Sequence, residues 1–466
     1  MLSKGKFLLG KTFEGEPVEV SLSDLSTHMH ILGATGSGKT LLLNLIDFQA
    51  YLNELALIKA DMKFDEGNFK LNYALSYYTG RNFYFFNPYA GQSTGLLASL
   101  GSHSYNPLLI GNAETITSKI INAAERPGGS VSFYEEVKEN LVLALVSGLL
   151  STGLKFSFKD LWVCLLRGKN GDYPALKRLI EISKDTASKV SLTELYQRLT
   201  SENNTLRTQA EKEITGTRLF FQRFSVGAVA ELVNSYNPDI DLLSTISAGD
   251  TVMFVLPVLL YEVVSKAIGK MLLADLRYIT GYMASVGIKK DFVISIDEFE
   301  NFVFKGIEDI FNKGRSAGAK VIIAHQSIKD IDLAYSQELR GIIQANTRIK
   351  VFLAQADVES AEWFSKLVGE KDLAYSMPLE SISLREVSNY MVPPKELTSL
   401  KTFSAYYYIK GKPLKGHILT VPTDFVLGKD IPKPEFKPKV DRTNGIRLYE
   451  YYLEAGGREE IDSVYP

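Results

Sequence analysis

Eight residues, Gly33 to Thr40, read GATGSGKT and satisfy the pattern G-x-x-x-x-G-K-[ST] at every fixed position. The run follows the strand-like HMHIL and opens the helical LLLNLIDFQAYL. A strand that turns through glycines into a helix builds a cradle for anions. Glycines at 33, 36 and 38 let the backbone curl until successive N–H groups converge on a phosphate. The helix N-terminus adds its positive dipole. Lys39 then reaches the β- and γ-phosphates, and the Thr40 hydroxyl ligates Mg²⁺. Gly33, Ala34, Thr35, Gly36, Ser37, Gly38, Lys39 and Thr40 are therefore the candidate ATP-binding residues. A chance glycine turn is the bland alternative, and the flanking strand and helix weigh against it.

A second segment, DFVISIDEFE, supplies what such a loop needs. The apolar run Phe292–Ile296 reads as a buried strand that delivers Asp297 and Glu298 to its carboxyl end, where ligands gather in parallel sheets. Asp297 is expected to hold the Mg²⁺ shell, and Glu298 to polarise the attacking water. In VIIAHQS, Gln326 stands just beyond another apolar run, placed to sense the γ-phosphate or orient water, against a plain polar cap on a strand. Arg315, in NKGRSAGAK, has two readings: a finger for a neighbouring subunit's nucleotide, or a solvated helix-end arginine. Arg340 and Arg348 are weaker candidates for the same task. Asp61, Lys63 and Asp65, in ALIKADMKFDEG, read either as part of the nucleotide border or as a charged turn.

The remaining pattern fixes the fold class. Short apolar runs at His28–Gly33, Leu55–Ala60, Phe83–Phe86, Thr251–Leu256, Phe292–Ile296, Val321–Ala324 and Lys350–Leu353 alternate with helical stretches. This predicts an α/β chain with a mainly parallel sheet flanked by helices. The alternation breaks between Asn112 and Asp241, where the periodicity is helical throughout. Helices are expected over Phe133–Ser151, after an N-cap at Ser157, and after an N-cap at Ser191. The layout is thus a first part of the nucleotide domain over 1–111, an inserted all-helical domain over 112–241, and a second part over 242–428. An extended C-terminal tail over 429–466 follows. FSAYYYIKGKPLKGHILTV predicts a hairpin turning at Gly-Lys-Pro.

Composition removes other classes. With 52 Lys and Arg against 54 Asp and Glu, the chain is no polycation, although a local basic channel is compatible with that balance. The single cysteine, Cys164, excludes a disulfide framework and a four-cysteine zinc site, and it favours a reducing cytoplasm. No apolar stretch approaches the roughly 20 residues of a membrane span. His28 and His30 lack ligand spacing for a metal and read as structural. The aromatic group Tyr73, Tyr77, Tyr78, Phe83, Tyr84, Phe85 and Phe86 reads as core packing.

HMHILGATGSGKT, ALIKADMKFDEG, IDEFE, GRSAGAKVIIAHQS and IIQANTRIKVFLAQAD, in that order, resemble the type IV coupling proteins of the HerA–FtsK superfamily. These are ATPases with a RecA-like P-loop domain that bring DNA and relaxase to the secretion channel in conjugation. The resemblance implies ATP and Mg²⁺ as cofactors, with Lys39 and Thr40 as phosphate-binding lysine and metal hydroxyl. It gives Asp297 and Glu298 as metal ligand and catalytic carboxylate, Gln326 as sensor, and Arg315 as the arginine offered to the next subunit. It also implies a homohexamer that engages DNA, single-stranded by expectation, together with relaxosome proteins and the secretion channel. Many members begin with two membrane-spanning helices, which this chain lacks, so docking at the inner face of the bacterial membrane is expected without its own span. Two other readings stay open: a superfamily pump or secretion-assembly ATPase outside conjugation, and a substrate receptor that keeps ATP as a structural ligand.

Overall fold

Seven apolar runs become neighbouring strands of one sheet, their side chains shared between the cores on its two faces. The computed structural model describes residues 4–91, 95–124, 139–370 and 390–457. Its sheet holds β1 (Lys6–Thr12), β2 (Pro17–Ser21), β3 (Met29–Leu32), β4 (Ala56–Asp61), β5 (Phe83–Phe86), β6 (Thr251–Val255), β7 (Phe292–Ile296), β8 (Ala319–His325), β9 (Ile349–Leu353), β10 (Ser404–Ile409) and β11 (Lys412–Ile418). The order is β2-β1-β11-β10-β9-β3-β8-β7-β4-β6-β5. Strands β5 to β9 in this row are parallel, with Met29 opposite both Ile322 and Ile349. All seven coincide with the apolar runs of the sequence. The fold is that of a P-loop nucleoside triphosphatase.

The side-chain period of two splits each strand between two cores. Ala56, Ile58 and Ala60 of β4 face one core, which continues through the helical layer. Leu57 faces the other, built on the first crossover helix α1 (Lys39–Leu52) and the β1–β2 pair. The remaining helices that concern the site are α2 (Glu66–Thr79), α3 (Val258–Ser285), α4 (Glu308–Ala317), α5 (Ile328–Ala334), α6 (Gln337–Asn346) and, in the tail, α7 (Leu448–Glu454).

Between Ala113 and Ala248 the regular elements among the described residues are helices alone. They share one continuous apolar core with the sheet, so the insertion is bound to the nucleotide domain by packing rather than hung from it. Ser157 caps its helix as expected, in a reciprocal box with Asp160. Ser191 does not cap. The helix there runs from Thr186 to Leu199, and Asp185 accepts the hydrogen bond from the Ser188 amide. Of the helix expected over Phe133–Ser151, the part from Glu139 is seen, and 133–138 lies outside the described residues.

The Tyr-rich hairpin turns one step earlier than expected. Lys410 and Gly411 both take positive φ, 52° and 80°, which is the mirror-image turn that matches strand twist. Pro413 then sits inside β11, opposite Tyr408. The tail, expected to be extended, ends among the described residues in the helix α7. The Leu448 amide donates to the buried Asp160 carboxylate at 2.9 Å, and the Tyr236 hydroxyl donates to the same group. Phe436 meanwhile packs among Phe69, Phe83 and Phe85.

Candidate active site

The carboxyl ends of β3, β8 and β7 lie side by side at the centre of the sheet, and the chain's direction of travel reverses across them. Such a switch point leaves a crevice for ligand. The loop Gly33–Gly38 fills it. Gly36 and Gly38 take φ of 77° and 109°, which side chains rarely adopt. Gly33 is small for another reason: a Cβ there would come within 2.5 Å of the Ser37 hydroxyl and 2.7 Å of Leu353 Cβ. The loop is pinned at both flanks, the Gly33 amide donating to the His325 carbonyl at 3.4 Å and the Ala34 amide to the Ala354 carbonyl at 3.0 Å.

Lys39, at the first turn of α1, is buried and donates to the Gly33 and Ala34 carbonyls at 2.6 and 3.0 Å. Burial pushes its pKa down, and Asp297 opposes that shift. Thr40 donates its hydroxyl to Asp297 Oδ2 at 2.8 Å, across a sequence separation of 257. The loop and the DE strand therefore meet at one point. A hydroxyl and a carboxylate at that spacing are hard oxygen donors of the type Mg²⁺ accepts. Among the described residues no three His, Cys, Asp or Glu side chains converge as a metal cage.

Glu298 is held unusually. Its backbone is left-handed at φ 52°, ψ 48°, and its amide turns back to Asp297 Oδ1 at 3.0 Å. Its carboxylate pairs with Lys63 at 2.5 Å. The two readings of the Asp61 segment separate here. Asp65 is the N-cap of α2, while Asp61 and Lys63 belong to the site. Burial, and then the charge of Asp297, push the Asp61 pKa up to about 7. Glu300 is pushed up to about 8 by burial, then by Asp330, Glu298 and Asp297. So many carboxylates crowd this edge that it gains from a cation.

Gln326 follows β8 directly beside the start of the phosphate loop, with its side chain exposed. Asp330 fixes this corner, accepting from the Gln326 and Ser327 amides at 3.1 and 2.7 Å. Sequence reading missed Asp330, although Ser327-x-x-Asp330 is a capping box that could have shown it. It missed Glu300 as well. The arginines lie elsewhere. Arg340 pairs with Asp332 at 2.9 Å. Arg315 ends α4 and Arg348 precedes β9, both at the opposite end of the strands.

His28, His30 and His325 form internal structure. His28 Nδ1 accepts from the Val321 amide at 3.1 Å and its Nε2 then donates to Phe311, with burial taking its pKa down to about 4. His30 and His325 stack with Nε2 atoms 2.5 Å apart. Cys164 is fully buried. The aromatic group divides: Phe69, Tyr73, Phe83 and Phe85 pack together, whereas Tyr77 and Tyr78 are exposed.

The family model described as the TraM recognition site of TraD and TraG matches residues 291–401. The type 4 coupling protein DotL of Legionella pneumophila is 23% identical over 420 residues, covering 80% of this chain and 53% of the relative. The chain thus spans about half the length of the curated relative it matches. By sequence and by fold, this chain is similar to the type IV coupling proteins. Among solved structures, the bacterial conjugative coupling protein TrwB matches with a TM-score of 0.58 at 17% identity, covering 92% of this chain and 91% of that one. TrwB has also been solved with ADP and Mg²⁺ and with a non-hydrolysable ATP analogue. VirB4 of Thermoanaerobacter pseudethanolicus matches with a TM-score of 0.56 at 14% identity, covering 91% and 98% of the two chains.

Proposed function

We propose that this chain is a coupling ATPase of type IV secretion, hydrolysing ATP to move DNA and its bound relaxase toward a secretion channel. The observation that carries this is the Thr40–Asp297 hydrogen bond at 2.8 Å, which joins a phosphate cradle to an acidic strand end. In this reading Gly33–Thr40 bind ATP, with Thr40 and Asp297 holding Mg²⁺. Bound ATP supplies the scissile phosphoryl group, with Mg²⁺ neutralising its charge.

The protein's own groups do the rest. Lys39 sits where its ammonium can leave the two loop carbonyls for phosphate oxygens. Glu298, anchored by Lys63, is the carboxylate that accepts the water proton, and Gln326 orients that water from the end of β8. Arg315 is out of reach of its own chain's loop, so its part in hydrolysis requires the next subunit of a ring. The working division stays 1–111, 112–241, 242–428 and 429–466, with the helical part offered to substrate proteins. Among the described residues no helix is long and apolar enough to cross a membrane. Docking at the inner face of the bacterial membrane, through the secretion channel, completes the reading.

A DNA pump or secretion-assembly ATPase outside conjugative coupling is the second reading, since the same cradle and acidic strand end would serve either motor. The test is ATP turnover by purified protein, with and without single-stranded DNA, beside transfer of a mobile element in a deletion strain. The coupling reading requires turnover, DNA stimulation and loss of transfer on deletion. Turnover without DNA stimulation, with transfer intact, would favour the second.

A further inference from the structure

Residues two apart on a strand share one face of the sheet. His30 lies opposite Ile323, so His325 shares its face. Both imidazoles are buried, and their Nε2 atoms are 2.5 Å apart. A neutral imidazole carries one N–H and one bare nitrogen, so one Nε2 donates here and the other accepts. The far nitrogen of His325 decides which. Its Nδ1 lies 2.7 Å from the Ser327 carbonyl, which can only accept. The His325 proton therefore sits on Nδ1, and its Nε2 is bare. His30 then donates from Nε2 and keeps a bare Nδ1, a buried atom with no hydrogen-bond partner among the described residues. The reverse order would set a bare nitrogen against the Ser327 carbonyl and bury the His30 Nδ1 proton without an acceptor. Burial, then His325 and Lys350, hold the His30 pKa well below its ordinary value, so its ring is neutral.

What this pair holds is the turn that carries Gln326. His325 fixes the Ser327 carbonyl, Asp330 takes the Gln326 and Ser327 amides, and the Ser327 hydroxyl donates to Asp357 at 2.6 Å. The backbone is thus tied on either side of Gln326, whose own side chain stays exposed. Asp330 lies 3.7 Å from His325 Nδ1, beyond hydrogen-bond reach, and does not compete for its proton. At the other end, His30 stands three residues before Gly33, whose amide donates to the His325 carbonyl. The root of the phosphate loop and the turn of Gln326 are therefore joined twice, by main chain and by side chains. Packing alone does not call for this. Two apolar side chains of similar size would fill the space without leaving a buried nitrogen unmatched.

We infer that His30 is a positioning residue for Gln326: its Nε2–H fixes His325 in the Nδ1–H tautomer, and that tautomer holds the turn that aims Gln326. His30 touches neither nucleotide nor water; it acts through His325. Without its proton donor, His325 is free to exchange tautomers and to release the Ser327 carbonyl. Catalysis then slows while the cradle Gly33–Thr40 still binds ATP. Lys350 offers no replacement, since its ammonium is engaged by the Gln344 carbonyl at 2.7 Å and the Thr347 hydroxyl at 3.1 Å. The inference rests on the ATPase reading above for the task of Gln326, whereas the order of protons stands apart from it.

Long-range proton–nitrogen correlation spectra of the full chain, labelled with nitrogen-15 at its five histidines, read the proton order directly. His325 should carry its proton on Nδ1 and His30 on Nε2, each signal assigned by its loss in His325→Gln or His30→Gln. The opposite order in the unsubstituted protein overturns the inference. Turnover gives the second readout. His30→Leu removes the donor at similar bulk, and His30→Gln returns an amide N–H near the place of Nε2. His30→Leu should lower kcat about tenfold or more while KM for ATP stays within about twofold. It should also let the His325 proton spread over both ring nitrogens. His30→Gln should recover most of the lost kcat. Unchanged kcat in His30→Leu, or equal losses in the two variants, overturns the inference. If His30→Leu does not fold, His30→Asn replaces it, because its shorter amide falls short of His325 and should be slow where His30→Gln is not. The assigned proton order in a protein that hydrolyses no ATP sinks the ATPase reading alone. The opposite order in an active protein sinks the role of His30 alone.

Discussion

Glu298 occupies a left-handed backbone conformation that costs a side-chain-bearing residue roughly 1–2 kcal/mol. The Asp297 carboxylate and the Lys63 ion pair hold it there, so its direction is set before any substrate arrives. Glu298→Gln keeps the shape and removes the carboxylate that the proposed mechanism uses as base. Turnover is expected to fall about 100-fold or more, the usual range for general-base loss, while binding of a fluorescent ATP analogue stays near wild type. Lys63→Met should lower kcat more than it changes KM, because it frees the carboxylate without touching the phosphate loop; equal loss in both would place Lys63 on substrate instead. Lys39→Ala should cost about 100- to 1000-fold in turnover through lost charge stabilisation, and near-normal turnover would remove the loop from catalysis. Glu300 carries a pH signature. Its folded pKa, about 8, lies above its ordinary value, so the folded protein keeps a proton that the unfolded chain releases. Stability from this group is full below about pH 4.5 and is lost as pH rises toward about 8. Glu300→Gln should therefore raise the melting temperature most at the alkaline end of that window. A uniform shift at every pH would assign the effect to packing.

At the scale of elements, Asp160 joins three pieces of chain: its carboxylate takes the Ser157 amide that starts one insertion helix, the Tyr236 hydroxyl and the first amide of α7. Asp160→Ala leaves those donors without acceptors, at about 1–3 kcal/mol for each that stays buried. The tail should be freed first. Limited proteolysis near Arg447 should become faster before the sheet loses protection from hydrogen exchange, and unchanged cleavage would mean that Leu448 and Tyr452 alone hold the tail. This junction shows what was legible in the sequence. The seven parallel strands could be read because burial on both faces writes continuous apolar runs such as Phe292–Ile296. The phosphate loop and its acidic partner could be read because their chemistry needs fixed residue types. The strands β1 and β2 could not, since KFLLGKT and PVEVS are short and mixed, and β1 finds its partner some 400 residues on, Gly10 lying opposite Ile418. The Asp160–Leu448 and Lys63–Glu298 pairings are equally long-range and leave no local pattern. The hairpin turn was misplaced because Gly-Lys-Pro looks like a turn, whereas the strand twist selected positive φ at Lys410 and Gly411.

For the whole molecule the position of Arg315 is decisive. It ends α4, just before β8 begins, whereas the phosphate loop lies beyond the far end of β3 next to it. Seven residues of strand set the two about 20 Å apart, well beyond the reach of an arginine side chain. Within one chain Arg315 therefore cannot touch a γ-phosphate. In a ring whose strands run around the axis, the strand end that carries Arg315 in each copy meets the nucleotide end of the next, and the same arginine arrives at a neighbour's site. In a ring whose strands run along the axis, every Arg315 stays the same distance below every nucleotide. These arrangements give opposite results when two inactive variants are mixed. Lys39→Ala chains have a ruined cradle but an intact Arg315; Arg315→Ala chains have the reverse. If strands run around the ring, a mixed assembly contains interfaces where an intact cradle receives an intact arginine, and turnover should rise above that of either variant alone, up to about a quarter of wild type for random mixing of equal amounts. If strands run along the axis, no mixture makes a complete site and turnover stays at the level of the parents. Rescue in the mixture would fix the direction of the sheet in the ring, because only one of the two arrangements brings an intact arginine to an intact cradle.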